Sequence, residues 1–505
     1  MSLSETITTA RQAQRFWACL PIRQRLAAIR TLRHRLVRDC DRLLSILTDE
    51  LGKPATEALG GELLPVADHL AWLERRAAPL LAPKRLSSAD RPVALWGQSD
   101  TVHRRPRGIV GIIGTWNYPL YLNAGQIAQA LVAGNAVIWK PSEVAPRFAG
   151  TFVELMNDAG FPPGLFQAMP PTREGGPMLA EADIDYMVFT GSAAVGRKLA
   201  ARLGERLIPS TLELSGCDAM LVLDDADLSL AAKAAAWSLT LNRGQTCIAV
   251  RRILVPRARM DEFVRYLAAR LDPTPLPLQT AAQVGHAQHI IADALAAGAT
   301  CWGPTGTDQT RAGGMTNLAP SAIAPTVLLG VRPEMAVCRE ATFAPVMGVM
   351  SYDRLDDALT MEAACPFALS FSIFTSDPSR AVALATHLRA GSVCVNDVIA
   401  PTTHPATPFG GRGESGWGVT QGVEGLLEMT VPQVLSVRSG TFRPHYDGAR
   451  AERGVSPDGP HNRHKQLPNQ ESLLRGLLLA SHAPTFAERC SGWWRVVRAA
   501  LSGNT

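Results

Sequence analysis

Apolar positions follow a helical period over the first eighty residues and a different rhythm afterwards. In RQRLAAIRTLRHRLVRDCDRLLSILTDELGK, Leu26, Ile29, Leu32, Leu36, Leu43 and Leu47 recur at helical spacing with arginines between them. Gly52, Lys53 and Pro54 stop that pattern, and a second amphipathic helix is expected over 57–80. Residues 91–107 alternate around Gly97 and predict a hairpin. From 108 onward, strand-like and helix-like runs take turns. GIVGIIG reads as a buried strand, NAGQIAQALVAG as a helix ending at Gly134, NAVIWK as a strand and APRFAGTFVELMNDAG as a helix. The same rhythm returns at YMVFTGSAAVGRKLAARL and at PSTLELSG. A β–α–β succession of this kind predicts an α/β fold with a parallel sheet and ligands at the strand ends. A second α/β region is expected from about 217 to 415, and residues 438–470 lack periodicity, as a linker does.

Composition narrows the class. At 505 residues and 46% hydrophobic, the chain can fill large cores and more than one domain. The formal charge of +5 is carried by the end of the chain, where Arg438 to Thr505 hold ten Lys and Arg against five Asp and Glu. The preceding residues therefore balance, which argues against nucleic-acid binding by the body. Nine cysteines without a C-x-x-C pair make neither a disulfide framework nor a zinc site, so no metal is expected and a reducing cytoplasm fits. No signal-peptide core and no run of about 18 apolar residues is present.

Two residues stand out chemically. Glu213 interrupts the apolar run LELSG, and Cys247 follows the glycine-containing turn of LNRGQTCIAV. A lone cysteine is ordinarily a small buried hydrophobe. A cysteine behind a turn whose N–H groups can face an anion, together with a carboxylate base, makes a complete nucleophilic pair if the fold joins them.

GTWNYPL (114–120), AGNAVIWKPSE (133–143), FTGSAAVG (189–196), LELSG (212–216), NRGQTC (242–247), EATFAPV (340–346) and PFGGRGESGWG (408–418) stand in the order and spacing of NAD(P)-dependent aldehyde dehydrogenases. The resemblance spans roughly residues 10–437 and implies that family's fold. That fold has a parallel-sheet, Rossmann-like cofactor domain (1–90 and 107–216), an α/β catalytic domain (217–415) and a small oligomerisation element (91–106 and 416–437). A linker and basic amphipathic tail (438–505) follow. By the same resemblance Cys247 is the nucleophile, Glu213 the general base, and Asn117 an oxyanion donor beside the Cys247 N–H. Lys140 and Glu143 would contact the adenosine ribose, with Ser142 and Trp116 nearby. Gly191, Ser192 and Gly196 would lie at the pyrophosphate and Phe343 near the nicotinamide. A glutamate at 143 favours NAD over NADP, with NADP as a second cofactor. A homodimer or homotetramer is implied.

Two positions depart from the family. Cys217 stands where a lysine usually follows the glycines after L-E-L, and Ala341 stands where a glutamate usually holds the nicotinamide ribose. Glu340 is one residue away, which on a strand reverses the side chain, and Thr342 is the other candidate to compensate. Tyr118, Leu122, Trp237, Leu241 and Phe409 match the family's substrate tunnel, with no cation at those places, so the expected substrate is a small hydrophobic aldehyde. Acyl transfer to coenzyme A is the enzymatic alternative, and the retained Glu213 argues against it. A catalytically weak binding or scaffold protein is the other. The tail from 471 mixes Leu, Trp and Val with arginine, a composition that suits docking on the body or peripheral contact with a membrane surface.

Overall fold

The computed structural model describes residues 2–92, 95–302, 321–439 and 470–501. They fall into two compact units, Met1–Leu81 with Arg105–Val431, and Ala82–Arg104 with Pro432–Thr505. The larger unit carries two mainly parallel sheets. The first runs in the order Gly416–Trp417, Ser210–Leu214, Tyr186–Gly191, Ile109–Ile113, Ala136–Lys140 and Phe166–Ala168. The second runs Thr300–Trp302, Thr326–Leu329, Val346–Tyr352, Val250–Pro256, Asp218–Val222, Ser370–Phe374 and Ser392–Val395. Gly416–Trp417 and Thr300–Trp302 are antiparallel to their neighbours, and the other strand pairs of these two sheets are parallel.

The hydrophobic patterns explain these sheets. Ile109–Ile113 and Ala136–Lys140 are buried at every position, because a central parallel strand is covered on both faces and so has no polar alternation. Helix Tyr121–Ala133 beside them is buried almost throughout and ends at Gly134, which adopts φ +99°. Helices Ile22–Arg38 and Cys40–Leu51 turn Leu26, Ile29, Leu32, Leu36, Leu43 and Leu47 into the same core.

Three local expectations are corrected. The helix over 57–80 is interrupted: Ala55–Ala58 and Leu64–Leu81 are α-helical, and Leu59–Leu63 winds as a π turn. The wider turn aims Glu62 inward. Its Oε1 pairs with Lys53 Nζ at 2.7 Å, and its Oε2 accepts the N–H groups of Leu120 (3.1 Å) and Tyr121 (2.9 Å). Glu62 thereby satisfies otherwise orphaned donors at the start of helix Tyr121–Ala133, where a negative charge is also favoured by the helix dipole.

The hairpin around Gly97 is replaced by one strand, Gln98–Pro106, lying between Lys84–Arg85 and Thr430–Arg438 in a three-stranded sheet. Residues 93–94 lie outside the described residues. The alternation in this stretch therefore reports a strand paired with distant segments, not two arms paired with each other. Residues 416–429 also join the first sheet and core instead of the small element. Gly416 pairs with Glu213, and Leu426 and Met429 are fully buried in the first core. Gly416 has φ +96°, and a side chain there would strike the Leu212 carbonyl, so only glycine permits this approach. Of the linker expected over 438–470, residues 440–469 lie outside the described residues. Among the described residues no helix is long and apolar enough to cross a membrane.

Glu62→Ala leaves Lys53 buried without its partner and two helix-terminal N–H groups unsatisfied. A loss of about 3–5 kcal/mol is expected, read from the denaturant midpoint of unfolding, whereas an exposed pair such as Arg257–Asp353 should contribute less than about 1 kcal/mol.

Candidate active site

Cys247 sits between a tight turn, Leu241–Gly244, and strand Val250–Pro256. Asn242 (φ +49°), Arg243 (φ +59°) and Gly244 (φ +74°) are successive left-handed residues, a conformation that costs the two non-glycine residues about 1–3 kcal/mol each. At Gly244 a Cβ would lie 2.5 Å from the Ala344 carbonyl carbon, so glycine is required there. The turn is held from several directions. Asn242 N–H donates to Glu57 Oε2 (3.0 Å), and Asn242 Nδ2 donates to the carbonyls of Asn117 and Gln245 (both 3.1 Å). The buried Arg251 donates to the carbonyls of Ala344 (2.6 Å) and Gly244, and Arg243 donates to the Leu51 carbonyl. Gly216 explains the S-G of LELSG, since a Cβ there would come 2.7 Å from the Cys247 carbonyl oxygen.

Glu213 lies on strand Ser210–Leu214 and is buried. Its Oε2 accepts from Gln126 Nε2 (3.0 Å) and Thr190 Oγ1 (3.1 Å), and its Oε1 accepts from Thr420 Oγ1. Burial outweighs these three donors and raises its pKa to about 7. Cys247 is pushed up to about 12 by burial and by the charges of Asp218 and Glu213, against the opposing pull of the Ile248 and Cys247 N–H groups. The resting thiol is therefore protonated, and a base must accompany any attack by its sulfur. Asn117 donates from Nδ2 to the Gln245 carbonyl (3.1 Å), and its Oδ1 accepts from Thr115 Oγ1 (2.7 Å). An amide nitrogen carries two hydrogens, so a second remains to face the cavity that Asn117 lines with Cys247 and Glu213.

Two cavities meet at Cys247. The first, about 1160 Å³ with its open mouth, is lined by Tyr118, Leu122, Trp237, Leu241 and Phe409, all five of the expected tunnel residues. Those five positions carry no cation, but a cation from another segment, Lys53, also lines the cavity. Lys53 comes from the segment before the π turn, which carries no tunnel motif, and its charge is taken up by Glu62 at 2.7 Å and by the Tyr118 ring at 3.9 Å. Glu57 lines the same wall.

The second cavity is lined by Trp116, Asn117, Gly191, Ser192, Glu213, Cys247, Ala341 and Phe343 among others. Trp116 and Phe343 meet edge to face at 6.3 Å. Ser192 caps the 13-residue helix Ala193–Glu205, whose N-terminal N–H groups suit a phosphate. Lys140 Nζ donates to Glu143 Oε2 at 3.0 Å, and Arg173 Nε donates to Glu143 Oε1 at 3.1 Å. Ser142 is buried, its Oγ accepting from Val144 N–H (3.2 Å). These residues fit a dinucleotide. Gly196 does not line the cavity; its missing Cβ makes room for Leu214, 2.5 Å away, so it serves helix-on-strand packing.

The two departures meet at one small cluster. Cys217 is fully buried with Cys365 and Phe367, and Ala341 packs against that cluster. Cys217 Sγ donates to the Val337 carbonyl at 3.6 Å. Glu340 is half-exposed and lies 3.8 Å from His286 Nε2, while Thr342 is buried and is not among the lining residues. His286 and Gln283 line the same cavity as Ala341. Among the described residues no cluster of three or more His, Cys, Asp or Glu could hold a metal.

The comparisons with known proteins decide the family. The model of the aldehyde dehydrogenase family matches residues 2–435. The chain belongs to the aldehyde dehydrogenase family. A 4,4'-diapolycopene aldehyde oxidase of Methylomonas is 34% identical over 85% of this chain and 80% of its own length. A putative succinate-semialdehyde dehydrogenase (NADP+) of Mycolicibacterium smegmatis is 35% identical over 85% of this chain and 83% of its own. An NAD+-bound aldehyde dehydrogenase of Mycobacterium tuberculosis superposes with TM-score 0.78 at 29% identity, covering 87% of this chain and 91% of that one. The aldehyde dehydrogenase described here is thus NAD(P)-dependent.

Sequence reasoning about this aldehyde dehydrogenase missed Gln126, Thr190 and Thr420, the three donors to Glu213. Thr190 lies in FTGSAAVG on the strand beside that of Glu213, whereas Gln126 and Thr420 come from distant segments. It also missed Glu57, Arg251 and Arg173, for which a single sequence carries no local signal.

Burial of Glu213 has a thermodynamic consequence. Its folded pKa of about 7 lies above the ordinary 4.5, so its contribution to stability is fully present below pH 4.5 and lost as pH rises through 7. Glu213→Gln should lack this loss, and denaturant midpoints at acid and alkaline pH will reveal a stability difference from the parent that moves in the variant's favour as pH rises.

Proposed function

We propose that this aldehyde dehydrogenase oxidises a hydrophobic aldehyde, aliphatic or aromatic, to its carboxylic acid with NAD+, and with NADP+ as second cofactor. The observation that carries this reading is the place of Cys247, where a mainly apolar cavity meets one that holds Glu213 and Asn117. Glu213 takes the thiol proton, and the Cys247 sulfur adds to the carbonyl carbon of the aldehyde. The oxygen that becomes negative is met by Asn117 Nδ2–H and the Cys247 N–H. When bound, NAD(P)+ supplies the hydride acceptor. Loss of hydride from the thiohemiacetal leaves a thioester on Cys247. Glu213 releases the thiol proton to solvent and then takes a proton from water, whose oxygen attacks the thioester carbon; the C–S bond breaks, the proton on Glu213 returns to the Cys247 sulfur, and the acid leaves. Retention of Glu213 favours water over coenzyme A as the acyl acceptor.

The apolar lining supports the substrate class. Lys53, the cation on that wall, is already neutralised by Glu62, so the second carboxylate of a semialdehyde acid has no ready partner. The Methylomonas relative's name, for a diapolycopene aldehyde, agrees with a lipophilic substrate. Assembly as a dimer or tetramer is supported by strand Thr430–Arg438, an edge strand with Val434, Leu435 and Val437 exposed. Nine free cysteines support a cytoplasmic location.

NADH formation should be faster with C6–C12 and benzylic aldehydes than with succinate semialdehyde, and Cys247→Ala should abolish it. Asn117→Ala should lower kcat about 10²–10³-fold. The rate should rise with pH through about 7, and Glu213→Gln should lose both the rate and that limb; an unchanged profile overturns the base assignment. Arg173 stands against the carboxylate that would repel a 2′-phosphate. Arg173→Ala should therefore weaken use of NADP+ more than NAD+, read as the ratio of the two kcat/KM values.

A further inference from the structure

The C-terminal helices Gln470–His482 and Phe486–Leu501 lie beyond the family-matched region and form a hairpin with its own logic. Their crossing is made by small residues. A Cβ on Gly476 would meet Val496 N at 2.9 Å and Gly492 O at 3.0 Å, and one on Gly492 would strike the Ala480 backbone. Leu473, Ala480, Ala483 and Ala499 are the other buried apolar residues of the pair. Most of the large apolar side chains are turned outward instead: Leu474, Leu478 (62% exposed), Phe486 (83%), Trp493, Trp494 (65%) and Val497.

A hairpin built for water does the reverse, filling its seam with Leu and Val and presenting polar residues outside. Glycine and alanine at the crossing with leucine and tryptophan outside is the arrangement of helices whose surroundings are apolar. The charges select which apolar surroundings. Arg475, Arg489, Arg495 and Arg498 outnumber Glu471 and Glu488, and the Arg498 guanidinium lies over the Trp494 ring at 5.5 Å. Helices of 13 and 16 residues that carry these charges do not cross a bilayer. Tryptophan and arginine side by side are at home at its headgroup level.

We propose that this hairpin docks the enzyme on the surface of an anionic phospholipid bilayer, seating Leu474, Leu478, Phe486 and Trp494 at the acyl–headgroup boundary and its arginines on lipid phosphates. The docking is independent of which aldehyde is oxidised, although a lipophilic substrate would be collected at the same surface.

The test is co-sedimentation of the full-length protein with vesicles of phosphatidylcholine plus phosphatidylglycerol, and of phosphatidylcholine alone. The parent should bind the anionic vesicles about tenfold or more in preference to the neutral ones, with a blue shift of tryptophan emission, and salt should weaken the binding. Leu478→Ser/Trp494→Ser should reduce partitioning more than about tenfold while leaving NADH formation with a water-soluble aldehyde unchanged. Arg495→Gln/Arg498→Gln, which alters no buried residue, should lower binding to anionic vesicles and abolish the preference over neutral ones. Failure of the parent to bind, or equal binding by both variants, overturns the proposal. So does a change of oligomeric state in Leu478→Ser/Trp494→Ser without lipid, since that would place a second copy of the chain on this face.

Discussion

The left-handed run Asn242–Arg243–Gly244 is the constraint around which the active site is arranged. Two non-glycine residues sit there in a conformation that costs about 1–3 kcal/mol each, so the turn persists only because its surroundings over-determine it. The ties reach across the whole larger unit. Glu57 and Leu51 come from the N-terminal helices, Asn117 from the end of the first sheet, Ala344 from the approach to strand Val346–Tyr352, and Arg251 from the second sheet itself. The position of one sulfur atom is thus a property of the entire fold. Gly216, with no room for a Cβ, lets the segments carrying Glu213 and Cys247 close on one another, and Gly244 lets the turn before Cys247 lie against Ala344 and Pro345.

Burial then sets the chemistry. The same desolvation that lifts Glu213 to about 7 lifts Cys247 to about 12. At neutral pH Glu213 is no longer the fully ionised group that an exposed carboxyl would be, while the Cys247 thiol stays protonated, more firmly than an exposed one. A carboxyl near half-ionisation at neutral pH can accept a proton and release it again, and a neutral thiol is silent until that transfer occurs. Three hydrogen bonds to Glu213 moderate its rise without cancelling it. They also fix its orientation, which an isolated buried carboxylate would lack. The arrangement gives up stability above neutral pH and holds Glu213 close to half-ionisation there.

The two departures from the family pattern prove to be neighbours. A thiol at 217 is buried with Cys365 and Phe367, and a methyl at 341 packs against that cluster, where a lysine and a glutamate would have required charge pairing or solvent. The substitutions are consistent with each other as packing, and His286 and Gln283 line the same cavity as Ala341.

The chain's own order of residues was enough to determine the α/β class and the buried central strands and to single out Glu213, Cys247 and Asn117 as candidates, because periodicity and motif spacing are local or collinear properties; that the three line one cavity is a matter of the fold. It could not determine the π turn that aims Glu62 inward, nor the pairing of Gly416 with Glu213, since both depend on contacts between segments far apart. It placed Gln98–Pro106 in a hairpin, because alternation specifies a strand face and not the identity of the partner strand. The donors to Glu213, the clamp by Arg251 and the neutralised Lys53 in the apolar cavity were likewise decided by tertiary structure alone. Hydrogen bonds, burial and the pKa shifts they produce belong to groups brought within a few ångströms, and one-dimensional spacing carries no record of that distance.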